Sequence, residues 1–291
     1  PRPAIDQKEN RKSWVAWHNA LVRAERRAPN LKNLEDRNPL VSVCLVHYNR
    51  PHFLEQAINS LLNQTYHKYE VILVDDGSDK PEALQFLEDI KDLFEERKWK
   101  ILKQKNKYVS AARNWGAKHA AGEYVMFMDD DNLAKDFEIE TFVTAALNSN
   151  ADILTCVADN FKTEEDFVLN LPVARYIPLG GFLELGCIEN VFGDANMLVK
   201  LKVFHELGGF NELRNFAFQD WEFLIRACLN GYKISVVPEP LFWYRIHGEN
   251  ISRGYNNYNN HLLKLEPYLQ KPILDVYKKL IFVLNSIHNV D

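Results

Sequence analysis

Asp129, Asp130 and Asp131 follow directly on a short apolar run, Tyr124 to Met128. Three like charges are costly to bury, so this tip is expected to meet water, a cation or both. Hard divalent cations take oxygen ligands, and Mg²⁺ or Mn²⁺ usually binds through one or two carboxylates plus substrate phosphates. The triplet alone fits a solvated acidic turn equally well. A second acidic tip changes that balance. Val71 to Val74 is apolar throughout and ends in Asp75-Asp76-Gly77-Ser78-Asp79. A third such run, Val41 to Val46, ends in His47-Tyr48-Asn49-Arg50-Pro51. Two acidic tips and a polar one, each closing an apolar run, suggest a metal-bridged phosphate ligand.

The elements that position these tips follow from periodicity. The three runs are short and β-branched or otherwise apolar, as expected of strands covered on both faces. Between the first two, Leu54, Ala57, Ile58, Leu61 and Leu62 keep a helical period. Asn49 is expected to cap that helix and Pro51 to occupy an early position. A strand–helix–strand unit implies parallel strands with right-handed crossovers, so the Asp75 and Asp129 tips should share one sheet edge. Ligands of open α/β sheets bind at that edge. Further helices are expected over Pro81 to Glu96, Ser110 to Ala121 (ended by Gly122), Phe137 to Leu147, and Trp221 to Leu229 closed by Gly231. Further strands are expected over Lys100 to Leu102, Asp152 to Val157, and Lys233 to Val237, followed by Pro238. A basic helix with Trp14, Trp17 and Leu21 on one side is expected near residues 7–28, and helices broken near Pro272 in the tail. The chain divides into an N-terminal extension (1–38), a central α/β unit (39–255) with halves 39–157 and 158–255, and a C-terminal helical segment (256–291).

Composition excludes some classes. The chain has 291 residues, 46% hydrophobic and 26% charged, as in ordinary globular proteins. A net charge of −5 gives no footprint for nucleic acid. Cys44, Cys156, Cys187 and Cys228 lack metal-like or redox spacing and read as free thiols of a reducing compartment. No apolar run is long enough to cross a bilayer. A cytoplasmic location follows as the expectation, with a peripheral place at the inner membrane face or in a larger multidomain protein left open. The start at Pro1 without methionine fits a piece of a longer polypeptide.

The order of motifs resembles the family 2 glycosyltransferases, inverting enzymes of the GT-A fold that use nucleotide-diphosphate sugars. The resemblance is carried by Tyr48-Asn49-Arg50-Pro51, Asn63-Gln64-Thr65-Tyr66, Val74-Asp75-Asp76-Gly77-Ser78, Ala112-Arg113-Asn114-Trp115-Gly116 and Asp129 to Asp131. It continues through Gly208-Gly209-Phe210-Asn211-Glu212, Gln219-Asp220-Trp221-Glu222 and Tyr244 to Asn250. The family implies a mostly parallel α/β sheet flanked by helices, a UDP-sugar donor, Mn²⁺ or Mg²⁺, and a saccharide or glycoconjugate acceptor of the kind used in polysaccharide biosynthesis. It implies that Tyr48 stacks on the base, that Asp76 and Asp75 accept from it, and that Arg113 contacts base or diphosphate. Asp131 would hold the metal and Asp129 the ribose or metal shell, with Asp130 at the motif's variable, solvated position. Asp220 would be the general base, despite Gln219 where an acid is commoner. His247 would be a third metal ligand. Arg253 would contact the diphosphate, and Asp194 would line the sugar and acceptor pocket or serve structure alone.

Two rivals are weighed against this reading. A nucleotidyltransferase would usually carry a glycine-rich basic loop after its first strand, and residues 47–51 contain no glycine. A sugar-nucleotide-binding module without catalysis has no need of Asp220 together with two acidic tips.

Overall fold

The computed structural model describes residues 37–214, 216–248 and 258–269. The expected N-terminal helix, Arg253 and the region around Pro272 lie outside them. Among the described residues, nine strands form one sheet. β1 (Val41–His47), β2 (Tyr69–Asp75), β3 (Lys100–Lys103) and β4 (Tyr124–Asp129) are parallel, in the order β3-β2-β1-β4. β1 is buried along its whole length. One face packs Leu45 and Met128 against Leu54, Ile58 and Phe142. The other packs Cys44, Val46 and Phe127 against Ala112, Phe204 and Phe223. Cover on both faces explains the unbroken apolar runs.

The sheet continues past β4 to β8 (Leu198–Lys200), β6 (Ile153–Phe161), β9 (Ile234–Arg245) and β5 (Leu133–Ala134). β8 is antiparallel to β4 and to β6, while β6 and β9 run parallel. β7 (Ala174–Tyr176) pairs antiparallel with β6. The result is an α/β fold with a mostly parallel sheet flanked by helices. All four cysteines are free. No helix among the described residues is long and apolar enough to cross a membrane.

Several boundaries depart from expectation. β9 does not stop at Pro238 but runs to Arg245, and its register against β6 shifts around Val157, opposite Pro240. Proline cannot donate to the ladder, and an irregularity there absorbs it. The helix expected over Pro81 to Glu96 is two, Pro81–Asp89 and Lys91–Glu96. The next helix runs Tyr108–Lys118, so Gly122 does not cap it. A Cβ at Gly122 would sit 2.7 Å from the Leu40 carbonyl oxygen and 2.8 Å from the Ser42 nitrogen. Gly122 therefore lets the chain pass the start of β1. Arg50, not Asn49, is the N-cap residue of helix Pro51–Leu62, with Pro51 in its first turn. Asn49 has a left-handed backbone, φ 55°, and serves the site instead.

Candidate functional site

Strand register assembles the site. His47 lies opposite Asp75, and Val46 opposite Asp129, so three strand tips end together. Above them opens a cleft of about 850 Å³ lined by Tyr48, Asp76, Arg113, Asp129, Asp131, Asp194 and Asp220.

The acidic tip is neutralised by the protein's own cations. Arg113 Nη2 donates to both Asp129 oxygens, at 2.7 and 2.8 Å. Asp131 Oδ2 accepts from Arg50 Nη1 at 2.7 Å and lies 2.9 Å from His247 Nε2. Burial works to raise the Asp131 carboxyl, but His247 and Arg50 hold it below the ordinary carboxylate range. Asp130 corrects the expectation of a solvated side chain. It is fully buried, 2.7 Å from His47 Nδ1 and ion-paired to Arg50, and burial pushes its carboxyl up. Asp129 and Asp131 line the cleft while Asp130 turns away from it.

At the β2 tip the two acids separate. Asp76 faces the cleft, and its Oδ1 accepts from Gln104 Nε2 at 2.7 Å and from the Lys107 backbone nitrogen at 2.8 Å. Asp75 is buried, does not line the cleft, and accepts from the Ser78 backbone nitrogen at 3.0 Å, which shapes the turn. A direct contact from Asp75 to a base is therefore not what this geometry offers. Asn49 ties the first tip to the second. Its Oδ1 accepts from the backbone nitrogens of Asp79 and Lys80, both at 3.0 Å. Tyr48 stands 42% exposed at the cleft, an open aromatic face.

Asp220 is in the first turn of helix Gln219–Leu229. Burial raises its carboxyl above the ordinary range, against the opposing charge of Arg113 and the helix-start amides. Burial thus outweighs the helix terminus, which alone would lower it. Asp194 is pushed up to about 7 by burial and then by the negative charge of Asp220. Both acids line the cleft, so Asp194 belongs with Asp220 rather than with the fold alone. Glu222 is spent elsewhere, accepting from Arg226 at 2.8 and 2.9 Å.

Sequence reasoning gave no role to Arg50, His47 or Tyr108. Arg50 and His47 stand in a quoted motif, yet only the fold brings them to Asp130. Tyr108 lines the cleft with φ 72°, a conformation that favours glycine. Nothing in its neighbours signals it. Arg113 carries a further feature. It is 3% exposed, and its Nε and Nη1 are buried without a hydrogen-bond partner. A guanidinium with unspent donors in a cleft is a ready anion contact.

For a divalent cation, Asp131 and His247 offer a carboxylate and an imidazole within 2.9 Å of each other. No group of three or more His, Cys, Asp or Glu donors is assembled among the described residues. Two protein donors suffice for an ion that takes its other oxygens from phosphate and water, so the residues fit.

A family model described as Glycosyl transferase family 2 matches residues 42–208. Glycosyltransferase GlyG of Streptococcus pneumoniae serotype 4 is 35% identical over 229 residues, which cover 74% of this chain and 73% of that protein. An uncharacterized glycosyltransferase of Haemophilus influenzae is 29% identical over 274 residues, covering 86% and 79%. Among solved structures, S. aureus TarS 1-349 in complex with UDP-GlcNAc superposes with a TM-score of 0.64 at 21% identity, covering 82% of this chain and 69% of that one. The mannosyltransferase PcManGT of Pyrobaculum calidifontis, in complex with GDP-Man and Mn2+, superposes with a TM-score of 0.60 at 17% identity, covering 91% and 76%. At such identities these two structures speak for the fold.

Proposed function

The chain belongs to glycosyl transferase family 2, and from that premise we propose that it transfers a sugar from a UDP-sugar to a hydroxyl of a saccharide or glycoconjugate, inverting the anomeric carbon. The observation that carries the donor reading is Arg113, buried at the cleft with Nε and Nη1 unspent. Those donors suit a diphosphate or the polar edge of a base. Tyr48 offers a face on which a base can stack. Asp76 has Oδ1 occupied by Gln104 and Lys107, which leaves Oδ2 for a single donor. Uracil presents one ring N–H, whereas guanine presents two neighbouring donors that call for both oxygens. This favours UDP, as in the TarS complex, over GDP, as in the PcManGT complex.

Asp131 and His247 would hold the cation, with Asp129 beside it. When bound, that cation supplies Lewis-acid stabilisation of the charge developing on the leaving diphosphate. Asp220 accepts the proton of the acceptor hydroxyl as it attacks from the opposite face. Asp194 keeps the neighbourhood of Asp220 acidic and is partly protonated near neutrality, so the pair need not carry two charges at once. A non-catalytic binding module would leave this second carboxylate pair without a task.

Thermal shift with nucleotides tests the donor side. UDP with Mn²⁺ should raise Tm more than GDP, CDP or ADP with Mn²⁺. The UDP shift should shrink without the ion, and its metal-dependent part should vanish in Asp131→Ala. Equal shifts for all four nucleotides would overturn the uracil reading, and an unchanged shift in Asp131→Ala would overturn the metal assignment.

A further inference from the structure

A second cavity, of about 760 Å³, shares no lining residue with the donor cleft. Tyr244 of β9 lines the cleft, while Trp243 and Arg245 on either side of it line the second cavity. Successive strand residues point to opposite faces, so the two cavities lie on opposite faces of β9. The second volume is in the range of small-molecule sites, about 300–1,000 Å³.

Its walls have a specific chemistry. Gln56 and Asn59 of helix Pro51–Leu62, with Asn63 at the C-cap, are three and four residues apart and share one face. Asn59 and Asn63 are exposed, and their side-chain amides make no hydrogen bond among the described residues. An amide donates and accepts side by side, as does a sugar hydroxyl. Aromatic rings line the same cavity. Phe137 and Phe167 are 36% and 40% exposed. The Phe167 ring is braced edge-on by Trp243, at 5.7 Å and 79° between planes. A braced, open ring suits the C–H face of a pyranose. Charge argues against an anionic ligand. Asp136, Glu164 and Glu239 line the cavity. Of its cations, Lys135 is paired with Asp159, and Arg245 donates to Gln56 and to the Asp131 carbonyl oxygen.

We propose that this cavity binds a neutral oligosaccharide, a remote part of the acceptor or product chain, apart from the reacting sugar. The proposal rests on the transferase reading for its purpose, but its test does not pass through the donor cleft. The probes are cellotetraose, maltotetraose and N,N′,N″,N‴-tetraacetylchitotetraose, with a sulfated heparin tetrasaccharide as the anionic counter-probe. Binding is measured by saturation-transfer NMR and by quenching of tryptophan fluorescence, on wild type, Phe167→Ala and the double variant Asn59→Ala/Asn63→Ala. Both variants change exposed positions on different elements, and alanine suits a helix surface. At least one neutral tetrasaccharide should bind wild type and bind each variant at least about tenfold more weakly. UDP affinity should remain that of wild type in both. Three results would overturn the site: no neutral tetrasaccharide bound by wild type, binding unchanged in both variants, or the heparin fragment preferred. Self-association of wild type that is lost in Phe167→Ala, seen by sedimentation, would reassign the cavity to a contact between copies. Loss of UDP binding by wild type would instead strike the donor reading and leave this result standing.

Discussion

Arg113 shows how few groups set the charge of the cleft. Its Nη2 holds Asp129, and its charge also opposes the rise of the Asp220 and Asp194 carboxyls. Burial raises both the Asp220 and the Asp194 carboxyls, and Asp194, pushed up to about 7, is partly protonated near neutrality. Two outcomes follow. Asp220→Asn keeps shape but removes basicity, so turnover should fall about 10²–10⁴-fold with UDP affinity nearly unchanged. The same substitution leaves the burial of Asp194 but removes the neighbouring charge that adds to its rise, so the Asp194 carboxyl should titrate below about 7 in the variant. Carbon-detected NMR of labelled aspartate reads the second outcome directly. Near-native turnover, a retained anomeric configuration, or an unshifted Asp194 would each contradict the assignment. At this scale the motifs named residues that the fold does bring to the cleft, Asp129, Asp131 and Asp220. It was blind to Asp130 and its partner His47, because burial of one acid in three depends on a turn that no spacing reveals.

Among the elements, helix Tyr108–Lys118 carries the most positional burden, since it brings Arg113 to the tips of β1 and β4. It can do so only by lying unusually close to the sheet. A Cβ at Gly116, one turn after Arg113, would stand 2.2 Å from Cys44 Sγ and 3.1 Å from Val74 Cγ2. Cys44 Sγ also donates to the Arg113 carbonyl oxygen at 3.6 Å. Alanine at a helical glycine normally gains about 1 kcal/mol, but overpacking a core costs about 1–3 kcal/mol. Gly116→Ala should therefore destabilise the protein and weaken UDP binding, because the helix must retreat with Arg113. Removing the clashing sulfur in Gly116→Ala/Cys44→Ala should recover part of both losses. Urea midpoints and calorimetry check this, and a Gly116→Ala protein as stable as wild type would refute the close-packing account. The strands beside this helix were legible because burial on both faces leaves an unbroken apolar run. β9 was only half legible: Pro238 and Pro240 read as an end, whereas the shifted register opposite Val157 carries the strand through. The helix boundaries at Tyr108 and at Arg50 were missed, and a positive φ stands at or beside each, at Tyr108 and at Asn49.

Across the whole molecule, the first half of the sheet could be read from local pattern, but its closure by β8, β6 and β9 and the second cavity could not. The strand pairings that close the sheet join residues more than forty positions apart, and no period in the chain encodes them. One such long-range contact couples the fold to the site. Glu138, fully buried at the start of helix Glu138–Ser149, accepts from Asn196 Nδ2, and the Asn196 backbone nitrogen donates to Asp194 Oδ1 at 2.9 Å. Glu138 Oε2 has no hydrogen-bond partner. Burial raises the Glu138 carboxyl to about 8, with Asn196 and Lys135 opposing. Its folded value lies above its unfolded value, so its contribution to stability is full below the unfolded value and is lost as pH rises towards about 8. Asp194, raised to about 7, acts in the same direction. Carboxyls with lowered values, Glu70, Asp131 and Asp152, lose their contribution only at more acidic pH. Lys264, lowered to about 7 by burial, contributes an opposite slope only above that pH. Between pH 5 and 7 the raised carboxyls therefore dominate among these groups, and stability should fall by an amount on the order of 1–3 kcal/mol. Glu138→Gln keeps the volume and cannot ionise, so its Tm should fall less over this interval than that of wild type. Asp194→Asn should flatten the same interval by a smaller amount. Calorimetry at pH 5, 6 and 7 in buffers of equal ionic strength measures all three slopes, and parallel curves for wild type and Glu138→Gln would show that Glu138 enters the fold already ionised.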